Sequence, residues 1–225
     1  MKQLLLYISV VIVLSGIVAC RKETTVLNPS AGLMVANVVV GGETVTLNGN
    51  ASLTVDNNSF NVFPLLSGQD QVRLVDTVVS PAQSYYDQPI QADDGVNYSL
   101  FLTGNSPAAV DAVLIKESYS NYTDSVCGVR FINLSPGSSP VSVNLAGEPN
   151  GAEISSLAYK SYGIFKQYPA QKTNARYTFE VRDAATGSLI TSYTLNTPYF
   201  HNVTLILQGL VGGSPAADIT RVLHP

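Results

Sequence analysis

Tryptophan is absent from the chain, and histidine, cysteine and methionine each occur twice in 225 residues. So few histidines and cysteines leave little material for metal or nucleophilic chemistry. His201 opens an apolar run and His224 is next to last; neither stands at a zinc-ligand spacing from a Cys, Asp or Glu. No G-x-S-x-G elbow occurs, nor a glycine-rich phosphate loop ahead of a helix. A Ser-His-Asp triad is assembled by the fold and is not visible in a sequence. The inventory names no catalytic residue, no metal ligand and no cofactor, and the expectation is a protein that is not an enzyme. Asp93-Asp94 and Asp56-Asn57-Asn58 offer oxygen ligands of the calcium type, but neither fits an EF-hand loop, and polar turns account for both.

Charge is scarce as well. Asp, Glu, Lys and Arg make up 12% of the chain, half the usual quarter. Thr, Ser, Asn, Val and Tyr take their place, a vocabulary of strands and turns. High apolar content with low charge excludes a disordered chain. A net charge of −4 with no long basic stripe excludes a nucleic-acid partner. No stretch after residue 19 has a helical period.

One long apolar run is present. Lys2 precedes LLLYISVVIVLSGIVA, Leu4 to Ala19. A basic start, an apolar middle and small residues at the end are the layout of a secretory signal peptide. An uncleaved anchor helix or a plain signal peptide with a chance cysteine are the alternatives. Ile17-Val18-Ala19-Cys20 is similar to the bacterial lipobox. That resemblance implies cleavage of residues 1–19 and lipidation of Cys20, with acyl chains of the palmitate type. Each buried methylene is worth about 0.8 kcal/mol, so several chains on one residue hold a protein on a membrane. The expected partner is therefore a membrane, reached through the N-terminal lipid. The expected address is the envelope of a Gram-negative bacterium, at the outer membrane and exposed at its surface. With Cys20 lipidated, Cys127 has no disulfide partner, and its apolar context predicts a buried, inert thiol.

Self-similarity organises the remaining 206 residues. NYSLFLTGNSPAAVDAVLI from Asn97 matches NVTLILQGLVGGSPAADITRVL from Asn202, with Asn97 on Asn202 and Gly104 on Gly209. Two weaker matches lie upstream in the same order, which argues for duplication. Val141, Val143 and Leu145 alternate strictly, as do Tyr177, Phe179, Val181 and Val203, Leu205, Leu207, each predicting a strand with one face buried. Short strands separated by Gly and Pro turns predict an all-β fold of two β-sandwiches. The expected division is a tether over 20–30, a first repeat over 31–119, a linker over 120–125 and a second repeat over 126–225. Residues 31–120 hold nine acids and two bases, a net of −7; residues 126–225 hold five acids and seven bases, a net of +2. With the anchor at Cys20, an acidic repeat near the membrane and a basic one beyond it are expected.

CGVRFINLSPGSSPVSVNLAGE, RYTFEVRDAATGSLITSYTL and FHNVTLILQG together resemble bacterial repeats of the family called domain of unknown function 4397. The likeness covers residues 126–225 well and 31–118 loosely. It implies two tandem immunoglobulin-like β-sandwich domains on a lipid-anchored, extracytoplasmic chain. It implies no reaction, so no catalytic residue is carried over.

The remaining candidate site is a basic and aromatic segment. Lys160, Lys166, Lys172 and Arg176 are interleaved with Tyr159, Tyr162, Tyr168 and Tyr177. Bases pair with carboxylates or sulfates while tyrosine rings stack on sugars or side chains. Lysine also guards edge strands, and tyrosine suits strands. Asp76-Thr77-Val78 and Asp124-Ser125-Val126 resemble an O-glycan acceptor pattern of some Gram-negative surface proteins. The expected function is a non-catalytic surface module for binding or adhesion, with a polysaccharide or protein ligand. One alternative is a fimbrial or pilus subunit assembled by strand addition, with GLMVANVVV as the donated strand. The other is a glycan-binding accessory lipoprotein that uses the Tyr/Lys segment.

Overall fold

The runs that alternate in sequence become strands, and the turn clusters separate them. The computed structural model describes residues 30–171, 176–196 and 200–224. The signal peptide, Cys20, nearly all of the tether, and Lys172 lie outside the described residues. Among the described residues there is no helix. Unit 1 comprises β1 (Ser30–Asn37), β2 (Val45–Leu47), β3 (Asn50–Val55), β4 (Ser59–Leu66), β5 (Gly68–Asp76), β6 (Gln83–Ala92), β7 (Asn97–Ser106) and β8 (Ala109–Lys116). Unit 2 comprises β9 (Val126–Asn133), β10 (Val141–Leu145), β11 (Ile154–Leu157), β12 (Lys166–Pro169), β13 (Arg176–Asp183), β14 (Leu189–Asn196), β15 (Asn202–Gln208) and β16 (Asp218–His224).

Four four-stranded sheets result. Unit 1 has the orders β4-β1-β7-β8 and β3-β2-β5-β6; unit 2 has β12-β9-β15-β16 and β11-β10-β13-β14. Each strand of unit 1 thus has its counterpart eight strands later. Pairing is antiparallel except for β1 with β7 and β9 with β15, which run parallel at the centre of their sheets. Leu33, Val35, Leu74 and Leu100 belong to the core between the two sheets of unit 1. Phe131, Val143, Phe179 and Leu205 do the same in unit 2. The fold is all-β and β-sandwich-like, as the alternation predicts.

Alternation predicts one buried face for β15, yet Thr204 and Ile206 on its other face are fully buried too. The cause is a third apolar cluster. Met34, Ala36, Val38 and Phe101 of unit 1 pack against Ile132, Leu134, Ile206 and Val222 of unit 2. Strands buried on both faces read as near-continuous apolar runs, and GLMVANVVV is one. It is the central strand of its sheet, paired with β4 on one side and β7 on the other.

The contact also sets how the units lie. The end of β1 adjoins Gln208 at the end of β15, and its start adjoins Leu223, which pairs with Val203 at the start of β15. The parallel strand pairs of both units therefore run the same way, side by side. The expected order from the membrane, acidic repeat first, depends on the tether over 20–29, which lies outside the described residues. The linking segment is strapped down: Tyr122 OH donates to Asn202 Oδ1 at 3.0 Å, and Asn202 Nδ2 donates to Ser120 O at 3.1 Å.

Duplication is legible at two glycines. Gly32 pairs with Asn97 in β7, and Gly128 with Asn202 in β15. A Cβ on Gly32 would overlap Asn97 Oδ1, and one on Gly128 would overlap Tyr122 Oη and lie 2.8 Å from Asn202 Oδ1. Gly128→Ala must push Tyr122 out of its place. A loss of about 1–3 kcal/mol, the range for overpacking, is expected in urea unfolding. A midpoint equal to wild type would show that Tyr122 moves without cost.

Candidate functional site

The two units differ along one edge. In unit 1, β4 pairs β1 without a register shift from Ser30↔Leu66 to Asn37↔Ser59. Asn61 Nδ2 of β4 also donates to Thr54 O of β3 at 3.0 Å, lacing the two sheets together. In unit 2, Ile132 pairs with Tyr162 and Val129 with Lys166. Four steps on one side thus answer three on the other, so one residue is extra, and the chain bulges across Gly163-Ile164-Phe165. Bulges bend an edge strand and re-aim its side chains. Gly163 N–H still reaches Phe131 O at 2.9 Å, whereas Ile164 is 89% exposed, the most exposed large apolar side chain among the described residues.

A groove of about 510 Å³ opens beside this bulge. Its walls are Phe131 of β9, Ile154 of β11, and Ile164, Phe165 and Tyr168 around β12. Apolar walls with a few polar groups are the usual make-up of a small-ligand site, and the volume suits one. The polar groups are Arg130, Glu153, Ser155 and Lys166. Glu153 Oε2 accepts from Lys166 Nζ and from Tyr168 OH, each at 2.5 Å. The Glu153 side chain is 11% exposed and that of Lys166 is 55% exposed. The Lys166 ammonium stands 5.9 Å from the centroid of the Tyr168 ring. Burial, reinforced by the hydrogen bond to Glu153 and its negative charge, holds the Tyr168 hydroxyl far above its ordinary pKa, so it is a fixed donor.

The basic and aromatic segment is divided between several tasks. Lys166 and Tyr168 line the groove. Tyr159 OH donates to Asp111 Oδ2 at 3.3 Å, and Lys160 Nζ to Asp111 Oδ1 at 3.1 Å; both tie unit 2 to β8 of unit 1. Tyr162 lies 5.7 Å from the Arg130 guanidinium. Arg176 Nε donates to Asn196 Oδ1 at 3.2 Å, and Tyr177 OH to Pro169 O at 2.9 Å. Lys172 lies outside the described residues.

A second polar cluster sits where the units meet. Arg130 Nη1 donates to Glu117 Oε2 at 2.8 Å, Nη2 to Glu117 Oε1, and Nε to Thr204 Oγ1 at 2.8 Å. These two charged side chains are 4% and 1% exposed. The guanidinium carbon is 4.5 Å from the centroid of Phe165, the groove residue. His224 Nε2 shares a hydrogen bond with Thr204 Oγ1 at 2.7 Å, and Nδ1 with Tyr119 OH at 2.9 Å. Burial first, then the charge of Arg130, pushes His224 down to about 3, so its ring is neutral at pH 7. Burial also lifts Tyr119 to about 12. A neutral imidazole donates at one nitrogen and accepts at the other, which both hydroxyl partners can match. This cluster is a lock between units, with the Arg130, Glu117 and His224 side chains nearly closed to solvent.

Burial pushes the Cys127 thiol up to about 12. Among the described residues no three His, Cys, Asp or Glu are grouped to hold a metal ion. Asp93 pairs with Lys116 at 2.6 Å, Asp94 accepts from Ser30 N–H, and Asp56 accepts from Thr44. Thr77 is exposed and Ser125 half-buried. The groove residues Phe131, Glu153, Ile154 and Phe165 were not singled out in sequence, because β9, β11 and β12 meet only in the folded unit. Arg130 did carry a signal: it is the one charge inside the apolar strand VCGVRFIN. No family model and no curated protein matches the chain. The class defined by fold and site is a two-unit all-β protein with a side groove in its second unit.

Proposed function

We propose that this chain is a non-catalytic binding protein of the Gram-negative cell envelope, anchored by lipid at Cys20, whose second unit takes the ligand. The observation that carries the reading is the groove beside the bulge ahead of β12, at an edge that unit 1 keeps laced. A duplicated scaffold that loosens one copy at one edge is what a gained binding site requires. The immunoglobulin-like assignment and the surface address belong to the same proposal. They rest on the strand pattern and on the lipobox-like Ile17–Cys20 stretch.

Ligand-observed NMR of a fragment library against the protein tests the groove. Ser155 lines the groove and is exposed, so Ser155→Trp fills the space without touching the core. Fragments bound by wild type are expected to be released by this variant at unchanged Tm. Fragments that bind both forms equally lie elsewhere and would count against the groove. On the address, Cys20→Ala is expected to abolish incorporation of labelled palmitate.

A further inference from the structure

We propose that the groove takes an amphipathic ammonium, a compact apolar body carrying one cationic nitrogen, and that Lys166 occupies the cation's place in the free protein. The proposal rests on the groove being a ligand site. The argument starts from what surrounds the Lys166 ammonium. It lies 2.5 Å from Glu153 Oε2 and 5.9 Å from the centroid of the Tyr168 ring. A carboxylate beside an aromatic face is the pair that recognises ammonium groups. Glu153 is nearly buried and held by Tyr168 OH, whereas Lys166 is more than half exposed. The carboxylate is thus built into the wall, and the lysine reaches it from outside.

An exposed lysine is poorly held there. Its hold on Glu153 is weakened because solvent screens the exposed ammonium and the long side chain loses freedom. A ligand ammonium replaces the lysine's charge one for one at Glu153. Its apolar body adds contact with Phe131, Ile154 and Ile164, which line the groove. Exchange therefore keeps the Glu153 charge paired and adds apolar contact, and the freed Lys166 returns to water. An anionic ligand would instead meet the Glu153 carboxylate, while Arg130, the other cation of the lining, already holds Glu117 through both of its Nη groups. This reverses the role that its sequence context suggests for Lys166: it competes with the ligand.

The test uses the whole chain in nanodiscs, with empty nanodiscs as reference, and isothermal titration with three probes of one shape. These are phenethylammonium, 2-phenylethanol and 3-phenylpropionate. Phenethylammonium is expected to bind best. Glu153→Gln keeps an acceptor for Tyr168 and should weaken the ammonium by about tenfold or more, the loss of a charged hydrogen bond. Lys166→Met keeps the apolar stem and should tighten it by up to about fivefold, the worth of the displaced ion pair. Glucosammonium separates amino sugars from aryl amines as the source of the group. Equal binding of alcohol and ammonium, with no effect of Glu153→Gln, overturns the ammonium and leaves the groove. Best binding by the carboxylate, lost in Lys166→Met, does the same. Binding of none of the probes overturns both.

Discussion

Glutamine at position 117 is expected to lower unfolding free energy by about 3–5 kcal/mol, the cost of stranding one charge of a buried ion pair. Arg130, 4% exposed, would keep only neutral partners: Thr204 Oγ1, the amide oxygen at position 117, and the rings of Tyr162 and Phe165. The loss belongs to the contact between units, since Glu117 follows β8 and Arg130 lies in β9. Unit 1 shows the remedy. Gly32 and Gly128 occupy the same register position, so Met34 stands in unit 1 where Arg130 stands in unit 2. Arg130→Met combined with Glu117→Leu should regain most of the loss, because a buried pair replaced by apolar groups of similar volume is often neutral in stability. Urea unfolding of that double and its two singles gives the coupling directly. A Glu117→Gln midpoint within about 1 kcal/mol of wild type would mean that water reaches the guanidinium and that the pair does not hold the units.

The second large effect is a loss of stability in mild acid. His224 titrates at about 3 in the folded chain against an ordinary 6.5. Between these values the unfolded chain binds a proton that the folded chain does not. Stability from this group is therefore complete above pH 6.5 and falls as pH drops, by up to about 1.4 kcal/mol per pH unit. The folded state resists protonation because the ring is enclosed by Thr204 and Tyr119, beside the Arg130 charge, and Glu117 is already engaged by Arg130. Urea midpoints between pH 7.5 and 5 read this slope. Asp93, Glu180 and Asp183 are all held below their usual values by hydrogen bonds and so act at lower pH. His224→Gln should flatten the curve over that window. An identical slope in the variant would assign the acid loss to another group.

Both effects lie where the sequence said least. Strands are legible because a half-buried strand repeats every two residues, as Val141, Val143 and Leu145 do. Duplication is legible because the chain repeats Asn97 and Gly104 as Asn202 and Gly209, and the sheets repeat the same order. Lys166 and Tyr168 stood out by composition, and both line the groove. Tyr159 and Lys160 stood out by the same signal, yet they serve the contact between units. Composition marks which side chains are capable of binding; it carries no direction, and direction separates these two pairs.

What the sequence determines by itself is local and periodic: strands of a given length, turns at Gly and Pro, and two copies of one unit. What only the tertiary structure decides is what each second face meets. Thr204, Ile206 and Arg130 are ordinary outward positions by alternation, and the docking of the second unit buries them. The groove depends on a one-residue bulge just ahead of β12 and on Glu153 arriving from β11's side, about a dozen residues before Lys166 in the chain. A pairing register is a relation between distant segments, set by summed packing over both, and no single segment contains it.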